Sequence, residues 1–356
     1  MRRSLTVLLT AWVLISADAR AGEHPHANDL LIFPDVNGVH SLNGSDIDED
    51  VFLGVNLLYT YTGHHARALV EYAVSNDEHE VERLQVGWAF TNGPIIWGGR
   101  VHNPDNYWNT TFHHGQYLQT SISRPWSNRY EDEGGPLLAH TTGMLFEIEN
   151  HYDAGSAWNA YLSVGVGAHL EEDLEPFDLF SPSSDHGFSL HGRLAYLPDF
   201  LGQNQVGLIG SFDEINIIDT PTGATLPIPG SIEQFSIGVY GDWQWNGTRM
   251  ISEFRYIHNE LEYPESSNEH ILSFYAYVEQ RLNDAWTVYG RMDLIDGGDS
   301  AYLDFLEDSL SDQWVGGIRW DFSRRQALTL ELQDKNAREA DMNRLNIQLQ
   351  WSAVFP

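Results

Sequence analysis

The sequence predicts an all-β fold: a transmembrane antiparallel β-barrel of about sixteen strands, with a long third outer loop folded into the lumen. Three observations predict it. The N-terminus is secretory on a chain without cysteine, apolar and polar residues alternate over long segments, and short connections alternate with long ones.

Met1-Arg2-Arg3 is a basic n-region, Leu5 to Ile15 is apolar, and Ala17-Asp18-Ala19 is a small-x-small cleavage site. This is the layout of a secretory signal, and the apolar run is too short for a spanning helix. Residues 1–21 are therefore expected to be a cleaved signal peptide, and 22–356 a single barrel domain. An exported chain with no cysteine is held by a core or a closed sheet, not by disulfides. The net charge is -32, and it becomes -34 once Arg2, Arg3, Arg20 and Asp18 leave with the signal. So acidic a chain excludes nucleic-acid binding through phosphate contacts.

Period-two alternation is clearest in the C-terminal half. Leu272, Phe274, Ala276 and Val278 oppose Ser273, Tyr275, Tyr277 and Glu279. Trp314, Gly316, Ile318, Trp320 and Phe322 oppose Gly317, Arg319 and Asp321. Segments about ten residues long with charged residues on one face mark strands between lipid and a wet lumen. Soluble sheets alternate too, but their strands run about five or six residues. Strands are expected near 51–61, 66–74, 83–90, 95–102, 139–149, 157–170, 187–196, 205–213, 233–245, 249–260, 270–282, 285–294, 312–322, 327–333 and 344–355. Bacterial barrels use an even number, so one more is expected within 30–42, with fourteen or eighteen strands as alternatives.

Counting back from the last strand puts the short turns 62–65, 91–94, 246–248, 283–284 and 323–326 on the periplasmic side. The long segments 103–138, 171–186, 214–232 and 295–311 fall outside. Trp88, Phe90, Trp158, Trp243, Trp245, Trp286, Trp320, Phe322 and Phe355 then all fall at periplasmic strand ends, as an interfacial aromatic girdle requires. The last strand, Leu345 to Phe355, resembles the terminal signal read by the barrel-assembly machinery, with Pro356 as an extra residue.

The segment after the fifth strand is long enough to be functional. It opens Gly99-Arg100-x-x-x-Pro104-x-x-Tyr107. Together with the strand order over 51–140, this resembles the phosphate-selective porins and their porin-like relatives. The resemblance implies a loop that folds inward and narrows the barrel. The chain's one lysine, Lys335, read as lying in an outer loop, gives no lysine-rich lining for phosphate.

The residues expected to line the pore or its constriction are Arg100, His102, Tyr107, Trp108, His113, His114, Arg124, Arg129, Glu131, Asp132 and Glu133 from this segment. Arg193, Arg255, Arg291 and Arg319 join them from the wall. Trp108 and Phe112 are suited to pin the loop inside, and Glu131-Asp132-Glu133 to pair with lumen arginines. Histidines 102, 113, 114 and 140 with those acids match no zinc spacing, so no metal and no cofactor are expected. Rows of charge on the wall either set selectivity or brace the lumen as salt bridges. Arg67, Arg83, Arg281, Glu71, Glu147, Glu253, Glu279, Asp293 and Asp321 share that inward parity.

The expected function is a porin-like channel for passive diffusion of small hydrophilic solutes. Its partners would be outer-membrane lipids, the assembly machinery and, in a homotrimer, copies of itself. The alternatives are a closed structural barrel, a ligand- or metal-binding barrel, or a barrel lipase using Ser121 or Ser123 near His113. No Gly-x-Ser-x-Gly elbow supports the last, and no enzyme activity is expected.

Overall fold

A chain whose side chains alternate between lipid and water can satisfy every backbone group only by closing its sheet. The computed structural model describes residues 27–356 apart from 44–48, 77–78, 92, 114, 131–133, 153–154, 172–173, 178, 180–184, 220–229, 263–266, 299, 307–308 and 339–343. The signal segment 1–21, His114 and Glu131-Asp132-Glu133 lie outside the described residues.

Sixteen strands form the wall: β1 Ala27–Ser41, β2 Glu49–Thr62, β3 Ala66–Ser75, β4 His79–Ala89, β5 Ile95–His102, β6 His140–His151, β7 Ala157–Val166, β8 Phe188–Leu197, β9 Gln205–Ile217, β10 Gly230–Trp245, β11 Thr248–Glu262, β12 Ser267–Arg281, β13 Trp286–Asp296, β14 Leu310–Ser323, β15 Gln326–Ala337 and β16 Arg344–Ala353. Each pairs antiparallel with the next. The barrel closes where β1 meets β16, from Asp35↔Ser352 to Ser41↔Asn346. A two-residue ladder, His169–Leu170 with Leu174–Glu175, folds the fourth outer loop.

The strand expected within 30–42 is real, and at 15 residues it is long. Its pattern is weak because Pro34 and Gly38 interrupt it. Pro34 has no N–H, and it follows the Ile32–Phe355 bridge on the seam side, where the β16 ladder breaks. Three boundaries need correction. The strand expected over 157–170 stops at Val166. The loop expected over 214–232 shrinks, because β9 runs on to Ile217 and β10 begins at Gly230. Lys335 lies in β15, opposite Gln313 and Arg344, and not in an outer loop.

The nine aromatics of the expected girdle all lie at the ends joined by short turns, and all are exposed at 36% or more. Trp286 and Trp320 stack there at 5.6 Å. Gly99 (φ +131°) lets β5 lie close on β4, since a Cβ there would sit 2.0 Å from the Leu84 carbonyl oxygen. In β4 a bulge sets Glu71 opposite Arg83 and Tyr72 opposite Val81. The extra residue turns Glu82 inward beside Arg83, which plain alternation does not predict.

Candidate functional site

The candidate site is the third outer loop, residues 103–139, in its described part. Helix α1 (Tyr107–Phe112) is capped by Asn106, whose side chain accepts from Asn109 N at 3.2 Å. A 3₁₀ turn, Trp126–Asn128, follows. Arg124 braces the interior by donating to Asn109 Oδ1 (3.0 Å) and the His113 carbonyl (2.7 Å), with its guanidinium 4.3 Å above the Tyr130 ring.

Four groups of inward-facing wall residues hold this loop. At its start, Asp105 bridges His191 Nδ1 (2.8 Å) and Arg255 Nη1 (2.7 Å), and its carbonyl accepts from Arg255 Nη2 (2.8 Å). Burial raises the affinity of Asp105 for a proton. The charges of His191 and Arg255 outweigh that and hold its carboxyl below the usual aspartate value.

Two residues on, the Tyr107 hydroxyl donates to Asp242 Oδ2 at 2.6 Å, and its ring stacks on Tyr240 at 4.3 Å. Arg249 holds the same aspartate through two bonds, of 3.0 and 2.6 Å. Trp108 is fully buried, edge-on to Tyr275 and Tyr277. Trp108 and Phe112 both belong to the cluster that pins the loop to β8–β14.

At the far side Glu331 accepts from Ile122 N (2.8 Å), Ser123 N (3.2 Å), Ser123 Oγ (2.6 Å) and Tyr289 OH (2.7 Å). Arg291 donates to the Ser123 carbonyl at 2.6 Å. Arg319 donates to the carbonyls of Tyr117 (2.9 Å) and Gln119 (2.6 Å). Arg193 reaches Thr110 Oγ1 at 2.7 Å.

The wall arginines are thus tethers of the loop as well as members of ion pairs. Glu253–Arg255, Arg291–Asp293 and Arg319–Asp321 each pair an acid and an arginine two residues apart, at 3.0, 2.9 and 2.9 Å. Strand periodicity puts such residues on one face. Arg83 pairs with Glu71 at 2.6 Å, and Arg100 with Glu80.

His102 and His113 come together with His140, at ring distances of 5.9 and 4.9 Å from His102. Burial, then the charges of Arg83 and Arg124, hold His113 well below the usual histidine value. Beside them a crevice of about 30 Å³ is lined by Arg83, Gln85, His102, His113, Glu147 and Arg193, among others. Arg129 is buried and close enough to Asp293 to act on its charge. Among the described residues no three His, Cys, Asp or Glu side chains converge on a metal position.

The serine candidates fall elsewhere. Ser123 is spent on Glu331, and Ser121 is buried. Ser189, which the sequence reading passed over, lies 2.8 Å from His191 Nε2. With Asp105 on the other ring nitrogen, these are the distances of a hydrolytic triad. Asp213 removes that function: it accepts from Ser189 Oγ at 2.7 Å and lies 3.0 Å from His191 Nε2. Ser189 is also fully buried, so this knot anchors the loop.

No known family profile and no curated protein sequence matches the chain. Solved structures do. An anion-selective porin from Comamonas acidovorans superposes with a TM-score of 0.65 at 13% identity, over 93% of this chain and 100% of that one. OmpT, an outer membrane protein of Vibrio cholerae, gives 0.63 at 9%, over 94% and 99%. Salmonella typhi OmpF gives 0.59 at 10%, over 92% and 97%. The chain therefore has the fold of outer-membrane porins.

Proposed function

We propose that the protein is a porin-like outer-membrane channel for passive diffusion of small hydrophilic solutes, with residues 103–139 as its constriction. The observation that carries this reading is a long loop tied to the polar inner wall by Asp105, Tyr107, Ser123 and the wall arginines. A barrel that served only as a membrane anchor would gain nothing from such a segment.

The rest of the reading follows from this. The signal segment is cleaved near residue 21, the last strand is read by the assembly machinery, and the barrel sits among outer-membrane lipids. A homotrimer is the proposed assembly, supported by a trimer form of the Vibrio cholerae neighbour. Phosphate is not proposed as the solute, because Lys335 is the one lysine in the chain. The arginines are largely engaged by carboxylates and loop carbonyls, which supports weak ion selectivity.

Planar-bilayer recording with the purified protein tests the proposal. Discrete conductance steps are expected, with a reversal potential near zero in a salt gradient. Their absence would favour a closed structural barrel. Release of fatty acid from added phospholipid and calcium would favour a hydrolase.

A further inference from the structure

Along β9 to β13 the inner wall changes character towards the outer end. Ser211 and Asp213 give way to Ile215 and Ile217, Glu253 and Arg255 to Ile257 and Leu261 on either side of a buried Asn259, and Asp293 to Ile295. These aliphatics pair directly across strands: Ile215 with Ile232, Ile232 with Leu261, and Ile257 with Ile271. The four strands β9–β12 run 13 to 16 residues. At the usual rise and tilt that is about 33–40 Å of height, against an apolar lipid band about 25 Å tall. The upper rows therefore stand above the bilayer and face into the mouth, where a water-filled channel has no use for isoleucine.

The structure covers them. The seventh outer loop carries α2 (Ala301–Phe305), whose Tyr302 and Leu303 are fully buried on these rows. Trp126, Leu137 and Leu138 from the third loop and Leu170 and Leu174 from the fourth complete the cluster. Polar contacts fix it in place. Glu269 on β12 accepts from Ser300 Oγ (2.6 Å), Ala301 N (2.8 Å) and Tyr302 N (3.3 Å). The Tyr302 hydroxyl donates to the Pro136 carbonyl at 2.8 Å, joining the seventh loop to the third. At Gly297 a Cβ would meet Leu303 Cδ1 at 2.3 Å, so the fit is tight.

We infer that α2 and the third-loop residues Trp126, Leu137 and Leu138 form an apolar roof over the β9–β13 half of the mouth. Solutes then reach the constriction over the β1–β5 half, where the outer connections 42–48 and 76–78 are short. The roof selects by size before the constriction is met. The inference rests on the channel reading, but its first test does not.

The chain has no cysteine, so a single introduced one reports on its own surroundings. Leu303→Cys should react with a water-soluble maleimide at least about tenfold more slowly than Asp304→Cys, whose native side chain is 60% exposed. Adding Glu269→Ala should bring the two rates together. This labelling reads the roof even in a barrel that conducts nothing. For the channel, replacing 300–306 by a Gly-Ser linker should raise flux of bulky neutral solutes about twofold or more relative to small ones. If that variant fails to fold, Glu269→Gln, which keeps the shape and weakens the cap, should move the same ratio in the same direction. Equal labelling at 303 and 304 would overturn the roof. An unchanged flux ratio from a folded variant would overturn its role in access.

Discussion

Asp105→Ala is the sharpest perturbation of the proposed constriction, because one carboxylate joins the loop to two strands, β8 and β11. It removes two charge-assisted bonds, to His191 (2.8 Å) and Arg255 (2.7 Å). Such bonds contribute about 1.5–3 kcal/mol each. The lower end applies, because each cation keeps a second carboxylate: His191 has Asp213 at 3.0 Å and Arg255 has Glu253 at 3.0 Å. Anchoring should therefore weaken by about 3 kcal/mol, or roughly a hundredfold in the equilibrium for local detachment. Asp105 lies outside the strands, so the barrel should still assemble. Single-channel recording at neutral pH should show frequent excursions to higher conductance, and protease should cut within 103–139 where the wild type resists. Conductance, noise and protection all matching the wild type would refute the assignment of Asp105 as the anchor.

Further outcomes follow from the same contacts. Glu331→Ala strands the amides of Ile122 and Ser123 and should loosen the far side of the loop by about 3 kcal/mol, seen as proteolysis there; Glu331→Gln should cost less. Gly99→Ala puts a Cβ 2.0 Å from the Leu84 carbonyl oxygen at a positive φ. Assembly should fail, read as loss of heat-modifiable migration on gels. Acid should loosen the loop in two stages. His113 is held below the usual histidine value by burial, Arg83 and Arg124. The detached state therefore binds more protons, and anchoring declines as pH falls below about 6.5. Asp105 is depressed by His191 and Arg255 against burial. Its contribution is complete above about pH 3.9 and is lost as pH falls further through its lower folded value. Protease protection that stays flat from pH 7 to 3 would contradict both assignments.

The barrel was legible because lipid and lumen impose a period of two that survives in one sequence. Parity then located β1, although Pro34 and Gly38 had erased its pattern. The inward course of the third loop was legible from Trp108, Phe112 and the motif ending at Tyr107. What holds it was not. Asp105 finds Arg255 150 positions away, and Ile122 finds Glu331 209 positions away. Spacing along the chain carries no trace of such pairs. The bulge at Glu82 was hidden too, since it breaks the alternation that identified the strand.

The apolar rows of the mouth were missed for a more general reason. Alternation assigns faces only while the same face stays polar. At Ile215, Ile217 and Ile232 the sense is reversed: the inner face is apolar because it meets a roof instead of water, while Glu214, Asn216, Ser231 and Glu233 take the other face. The pattern therefore changed phase, and the segment read as the loop 214–232. The arginines teach the converse. Their inward parity was correct, yet parity says nothing of what a guanidinium donates to. Arg255, Arg291 and Arg319 each give at least one bond to a loop carbonyl, of 2.8, 2.6 and 2.6 Å, and one to an acid two residues away. In the proposed channel, a lumen arginine bound in this way positions the loop first and would meet a passing solute second. On that reading, ion preference would be set less by the number of arginines on the wall than by where the loop they hold leaves room.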